Sequence, residues 1–304
     1  MSRRVMTLWL VIAVATSFAA ATESRQPAGK LTAAEIADRN VAARGGLQAW
    51  RGVQGLKMTG KLDAGGNNRP TLPTPAAPKS AAGMPAPRPA EQVQLPFVLE
   101  AKRPRKSRIE IEFKGQKALQ VYDGANGWKL RPFLNRMDVE PYTAEELTTA
   151  SLQSDIDGPI VDYAAKGTAV ELNGTEKVEG RECYKLALTT KSGQVTHVWI
   201  DAGTFLEAKM DGVPRRLDGK YRPVEIYLRD YRSTGGLQIP YTLETRVQDA
   251  AVGGASSSSS ISERIILDKV EVNPPLSDAL FSRAQMDAAA SDKPAPTLAK
   301  FSPR

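Results

Sequence analysis

Between residues 168 and 248 the chain alternates apolar and polar residues with a period of two, run after run, and that rhythm limits what it can fold into. Successive side chains of a strand point to opposite faces of a sheet, so period-two apolar residues describe strands with one dry face and one wet face. Tyr184, Leu186 and Leu188 fall on one side, with Lys185 and Thr189 on the other. Val224, Ile226 and Leu228 alternate with Glu225 and Arg229; Ile239, Tyr241, Leu243 and Val247 alternate with Thr242, Glu244 and Arg246. Asn173-Gly174, Ser192-Gly193, Asp201-Ala202-Gly203 and Gly235-Gly236 separate the runs, where tight antiparallel connections need turn residues. The stretch predicts an antiparallel meander whose apolar face requires a cover.

The same rhythm extends outward. Leu56, Met58 and Leu62 alternate with Lys57, Thr59 and Lys61, and Leu95, Phe97 and Leu99 share one face of the next run. Ile109, Ile111 and Phe113, then Leu119 and Val121 across Lys114-Gly115, then Trp128 to Leu130 continue the series, and Ile261 to Val272 closes it. The count is about 11–12 strands. Residues 64–92 interrupt it with seven prolines among Ala, Gly and Asn, a composition too poor in apolar surface to order itself, and predict a flexible insertion between neighbouring strands. Thr32-Ala-Ala-Glu35 and Thr143-Ala-Glu-Glu146 are capping boxes. They predict a helix over residues 33–44 and a helical excursion over 143–165, with Pro159 starting a further helix through Ile160, Val161 and Tyr163.

The first 21 residues carry Arg3 and Arg4, an apolar run from Leu8 to Val14, and Ala19-Ala20-Ala21. This reads as a secretory signal cut near Ala21, the run being too short for the ~20 residues a membrane span needs. No Cys follows it, so N-terminal lipidation is not expected, and export to the periplasm is. Cys183 is the only Cys, which excludes an internal disulfide and a Cys-based zinc site. Lys and Arg number 41 against 34 Asp and Glu, a formal net charge of +7 that falls by two once Arg3 and Arg4 leave. The excess is spread along the strands, as at 102–108 and 215–222, rather than gathered with aromatics on one face, so no nucleic-acid partner is expected, and transient contact with an anionic membrane surface is compatible with it.

Chemistry finds little material. His197 is the only His and lies in a strand; no G-x-S-x-G elbow exists, and the serines cluster in one loop. Asp123, Asp155, Asp157, Asp201 and Asp230 occupy turn and cap positions. The sequence predicts no catalytic residues, no metal site and no cofactor.

Six segments, taken in order, carry a family resemblance: Ala43-Arg-Gly-Gly46-Leu-Gln-Ala-Trp50, Tyr122-Asp-Gly-Ala-Asn-Gly-Trp128, Asp155-Ile-Asp-Gly-Pro159-Ile-Val-Asp-Tyr163, Val198-Trp-Ile-Asp201, Tyr227-Leu-Arg-Asp-Tyr231 and Val272-Asn-Pro-Pro-Leu276. The chain from about 31 to 282 resembles the LolA-like family of outer-membrane lipoprotein-sorting proteins, related in fold to LolB and LppX. The resemblance implies a mainly β fold, a single curved antiparallel sheet forming an unclosed barrel with helices covering the concave face, and an apolar cavity for acyl chains. It divides the chain into a signal peptide (1–21), a lipid-binding half-barrel (30–282) and a disordered tail (283–304). It implies a periplasmic carrier or chaperone whose partner is a lipid or acylated lipoprotein bound for the outer membrane. The alternative is a non-catalytic envelope sensor or scaffold acting through a protein partner. The insertion at 64–92 is longer than the family pattern, and residues that engage transport partners do not carry over.

The candidate cavity lining is Leu56, Met58, Phe97, Leu99, Ile109, Ile111, Phe113, Leu119, Val121, Leu186, Leu188, Val198, Ile200, Leu206, Met210, Ile226, Leu228, Tyr241 and Leu243, with Leu267 on the last strand. The helices offer far fewer large apolar residues than this face, so either the sheet folds onto itself or part of the face is left for a ligand. Trp128, Phe133 and Leu134, beside Arg131 and Arg136, form a candidate rim that meets the membrane, or pack beneath the helix that begins at Thr143.

Overall fold

The computed structural model describes residues 31–65, 92–217, 219–248 and 259–291. The expected signal peptide, the body of the Pro-rich insertion and the last residues of the tail lie outside that range. The strands are β1 (Gly55–Gly65), β2 (Gln92–Lys102), β3 (Lys106–Phe113), β4 (Gln116–Tyr122), β5 (Gly127–Arg131), β6 (Arg136–Pro141), β7 (Ala169–Val178), β8 (Arg181–Thr189), β9 (Val195–Asp201), β10 (Glu207–Asp211), β11 (Arg215–Leu217), β12 (Lys220–Arg222), β13 (Val224–Thr234), β14 (Leu237–Gln248) and β15 (Ser259–Val272). Thirteen form one antiparallel sheet in the order β6-β5-β4-β3-β2-β1-β15-β14-β13-β10-β9-β8-β7, and β11 and β12 pair separately. β6 and β7 each have one neighbour, so the sheet does not close. The expected strands are all present; β6 and the β11–β12 hairpin are additional.

Directly opposed residues of an antiparallel pair share a face, so the register assigns every side chain. One face, here the inner, holds Leu56, Met58 and Leu62 of β1, opposite Ala101, Leu99 and Leu95 of β2 and Val272, Val270 and Ile265 of β15. Ile109 and Ile111 continue it on β3, and Leu243 and Leu228 carry it through β14 and β13. At the β1–β15 bulge, a Cβ added to Gly60 would stand 2.1 Å from the Ile266 carbonyl oxygen and 2.7 Å from the Leu267 Cα. Backbone cannot yield there as a side chain tip can, so Gly60→Ala is expected to cost about 1–3 kcal/mol. A urea midpoint equal to wild type would show that the two strands are not held so closely.

Helix α1 (Ala33–Ala43) and helix α3 (Ala144–Gln153) both begin with the expected capping boxes, at Thr32/Glu35 and Thr143/Glu146. α1 buries Ile36, Ala37 and Asn40, and a further short helix, α2 (Leu47–Arg51), buries Trp50. Trp50, Val161 and, less deeply, Val41, Leu47 and Ile156 pack with Leu56, Leu237, Leu267 and Val270, which places this whole group on the inner face. The chain around Pro159 is a turn rather than the expected helix; Ile160 and Val161 are buried, and α4 (Tyr163–Lys166) follows. α3 reaches the inner face through Glu146, whose carboxylate accepts from Lys129 Nζ at 2.5 Å, yet it buries no residue of its own.

Leu119 and Val121 depart from the expected lining. The β3–β4 connection is a two-residue loop that pairs Phe113 with Gln116, so Ile109 faces Gln120 and Ile111 faces Ala118. Leu119 and Val121 therefore point outward with Arg108 and Glu110, and Trp128 and Leu130 of β5 join them there. Phe281 and Met286 cover that outer patch. Met286 lies on α5 (Arg283–Ser291), a helix in the stretch expected to begin a disordered tail.

Candidate ligand-binding face

The inner face has a closed part and an open part. On β8 and β9, Leu186, Leu188, Val198 and Ile200 are buried, and α1 and α4 lie against the neighbouring β7. Across β1, β2, β3, β10, β13 and β14, by contrast, Met58, Leu99, Ile109, Ile111, Phe113, Met210, Ile226, Leu228 and Leu243 are only half-buried. Their register makes them neighbours: Met58 opposes Leu99, Leu99 opposes Ile109, Leu228 opposes Leu243, and Met210 opposes Ile226. Leu56, Phe97, Tyr241 and Leu267 form the buried floor between them. The strand next to Ile109 and Ile111 turns polar, presenting Ala118, Gln120 and Tyr122 inward, and there α3 makes its contact. The result is an apolar trough, buried at β8 and β9 and half-buried elsewhere, where Met58, Leu99, Ile109, Ile111 and Leu243 pack beside the core that holds Trp50 and Val161.

Of the expected lining residues, Leu119 and Val121 are on the other face, and Leu206 sits half-buried in the turn before β10 rather than in a strand. Trp128 belongs to the outer patch, not to a rim. The segment after it does not leave the sheet: residues Pro132–Leu134 make a single 3-10 turn and β6 returns to pair with β5. Leu134 is 58% exposed there, and Arg131 and Arg136 share the Glu140 carboxylate. The side chain of Phe133 is outside the described set. Alternation gave the face but not the depth of its cover: Leu186, Leu188, Val198 and Ile200 are buried, whereas Ile109, Ile111, Ile226 and Leu228 are half-buried.

A buried polar group fastens the closed part. Arg44, the last residue before Gly45-Gly46, pairs with Glu207 at 3.2 Å, donates to the Asp157 carbonyl at 2.9 Å and stacks on the Trp50 ring at 4.3 Å. Tyr231 donates from its hydroxyl to the Glu207 carboxylate at 3.0 Å, and burial together with that carboxylate pushes the hydroxyl well above an ordinary phenol. Burial opposes ionisation of Asp157, yet Arg103 at 2.9 Å and Lys166 at 3.2 Å outweigh it and hold the carboxyl below its usual range. Four of the six motif segments meet here, since Arg44, Trp50, Asp157 and Tyr231 come from three of them and Asp201 of a fourth caps the turn leading to Glu207 through Gly203 and Thr204. Their spacing in sequence gave no sign of that meeting.

The remaining candidates are structural. Cys183 is buried on the outer face with Val178, Trp199, Ala208 and Tyr227, and burial raises its thiol. His197 Nδ1 lies 2.8 Å from Asp211 Oδ2, and its backbone N–H donates to the same oxygen, which ties β9 to β10. Among the described residues, no three of His, Cys, Asp and Glu are placed to hold a metal ion. Two surface pockets of about 360 and 340 Å³ lie elsewhere, one between α1 and α4 and one beside Arg103.

Fold and site together define an open antiparallel half-barrel with an apolar inner face. No family model and no curated protein matches the sequence. Among solved structures, the chain is similar to a LolA superfamily protein from Nitrosomonas europaea, with 13% identity and a TM-score of 0.48 over 84% of this chain and 100% of that one. It is similar to a DUF1329 family protein from Desulfovibrio piger, with 13% identity and a TM-score of 0.49 over 83% and 98%. It is also similar to an outer membrane lipoprotein-sorting protein domain from Vibrio parahaemolyticus, with 11% identity and a TM-score of 0.49 over 84% and 97%. At such identities, what those proteins bind or deliver stays with them.

Proposed function

We propose that the inner face binds acyl chains of lipids or of acylated lipoproteins, and that the protein serves as a periplasmic carrier or chaperone on the way to the outer membrane. The observation that carries this reading is the row of half-buried apolar side chains along the inner face, from Ile109 and Ile111 to Ile226 and Leu228. Apolar surface left to water costs about 25 cal/mol per Å², and a contiguous apolar patch of this kind marks a binding surface. Each acyl methylene buried on it contributes about 0.8 kcal/mol, so roughly ten supply about 8 kcal/mol before the cost of immobilising the chain. The signal-like first 21 residues support the compartment.

The openness of the trough also suits a second reading, in which a protein segment lies along it and the chain is a sensor or scaffold. Protein purified from the envelope and weighed by native mass spectrometry, before and after organic extraction, separates the two. A bound mass in the lipid range that extraction removes is the expected result. An unextractable polypeptide partner with no lipid overturns the carrier reading.

A further inference from the structure

Where the trough turns polar, its residues lie in a straight row. Val270, Met58, Leu99, Ile109, Gln120 and Lys129 oppose one another directly, strand after strand from β15 to β5, so all six share the inner face. Four inter-strand steps separate Lys129 from Met58, about 19 Å, somewhat more than the ~15 Å that the acyl chains of one bilayer leaflet fill. Met58, Leu99 and Ile109 are half-buried, Gln120 is exposed, and Lys129 is buried. An ammonium so placed needs an anion. Its partner is Glu146 of α3, with both carboxylate oxygens at 2.5 Å, although α3 buries no residue and the Glu146 side chain stays 37% exposed. Two residues along β5 and on the same face, Arg131 shares Glu140 with Arg136, yet its Nε is buried without an acceptor among the described residues. Glu140 itself lies opposite Lys129 on β6. Buried donors rarely go unanswered.

We propose that the Lys129 ammonium and the Arg131 Nε form the head-group end of the trough, which takes an amphiphile with one anionic head, a carboxylate or a phosphate, its acyl chain lying along Gln120, Ile109, Leu99 and Met58. The inference rests on the carrier reading and narrows it, because a buried ammonium at the end of an apolar row favours an acid over a neutral head. Glu146 holds the place of that head in the free protein. On binding, the ligand's oxygens accept from Lys129, and Glu146, already partly in water, returns to it at small cost; without that exchange the ammonium would be left buried and unpaired. Glu146 keeps its other partner, since it also accepts from the Thr143 N–H at the start of α3. An apolar protein segment laid along the row would leave Lys129 on Glu146.

The test is isothermal titration of the full protein with dodecanoate, dodecyl phosphate and dodecanol, and with acetate and inorganic phosphate. The wild type is expected to bind the two anionic chains severalfold more tightly than dodecanol, a preference held down by the need to displace Glu146. Glu146→Gln keeps the capping box, which Gln serves as Glu does, but removes the competing charge. Its preference for the anionic heads therefore rises by roughly tenfold, the worth of a hydrogen bond to a charged group. Lys129→Met abolishes the preference. These opposite signs separate a head-group site from a mere staple of α3 to the sheet, because breaking a staple lowers stability in both variants and leaves the preference alone. Should Lys129→Met not fold, the wild type and Glu146→Gln decide between them. Either anionic chain ahead of dodecanol supports the site, and the leading one identifies the head as carboxylate or phosphate. Equal affinity of Glu146→Gln for the anionic chains and dodecanol, or acetate and phosphate binding as tightly as the chains that carry those heads, overturns this inference alone. Failure of both proteins to bind any of the three chains overturns the carrier reading with it.

Discussion

Replacing Glu207 by Ala lowers the free energy of unfolding by about 3–5 kcal/mol, because it strands a buried guanidinium. Arg44 and Glu207 are each at most a tenth exposed and meet at 3.2 Å, with Trp50 stacked on one side and the Asp157 carbonyl on another. Arg44 is too buried for water to replace the lost carboxylate fully, and Tyr231 keeps only the backbone carbonyl of residue 207, at 3.0 Å, as its acceptor. The double variant Arg44→Met/Glu207→Leu recovers most of the loss, since a well-packed apolar pair of similar volume is often as stable as the ion pair it replaces. Equilibrium urea unfolding of the two variants reads this directly. A Glu207→Ala midpoint at the wild-type value would mean that the pair is solvated and that α1 is held by its apolar contacts and by Asn40, which donates to the Phe205 carbonyl.

Leu228→Asp/Leu243→Asp separates a ligand trough from a sealed core. The two leucines oppose each other across β13 and β14, and both are half-buried. In a trough, the carboxylates keep part of their hydration in the free protein, and like charges directly opposed cost about 1 kcal/mol, so the fold survives with a modest loss. An acyl chain laid across them must strip that hydration, at about 1–3 kcal/mol or more for each group, which weakens binding by roughly a hundredfold. Displacement of a fluorescent fatty acid gives the binding change, and thermal melting gives the stability change. Collapse of the fold would make this face a filled interior; unchanged uptake would put the acyl site elsewhere.

These two experiments divide along the line between what could be read from the chain and what could not. The half-open leucines were legible: alternation alone placed Ile226 and Leu228 on one face, as it did Ile109 and Ile111, and turn residues located the hairpins. Leu119 and Val121 were misplaced although their strand was found, because alternation within a strand says nothing of its phase against the next. That phase is fixed by the loop, and Phe113 paired with Gln116 across two residues turns odd-numbered side chains toward even-numbered ones. The Lys114-Gly115 turn contained this information, had its length been carried through to the register.

Arg44 was legible only as part of a motif. Nothing in its neighbourhood announces a partner 163 positions later in Glu207, since ion pairs between distant segments leave no periodic trace. The basic run at 215–222 was visible in the sequence, but the pairing of its Arg215 with Glu263 on β15 depended on which acids the fold brought near. Sequence by itself determined the strands, both capping boxes and an apolar face larger than its helices can cover, because each of these follows from local spacing and residue volume. Only the tertiary structure decided which inner-face residues are buried and which half-buried, which face Leu119 and Val121 occupy and which distant charges pair, because those depend on the register and on contacts between residues far apart in the chain.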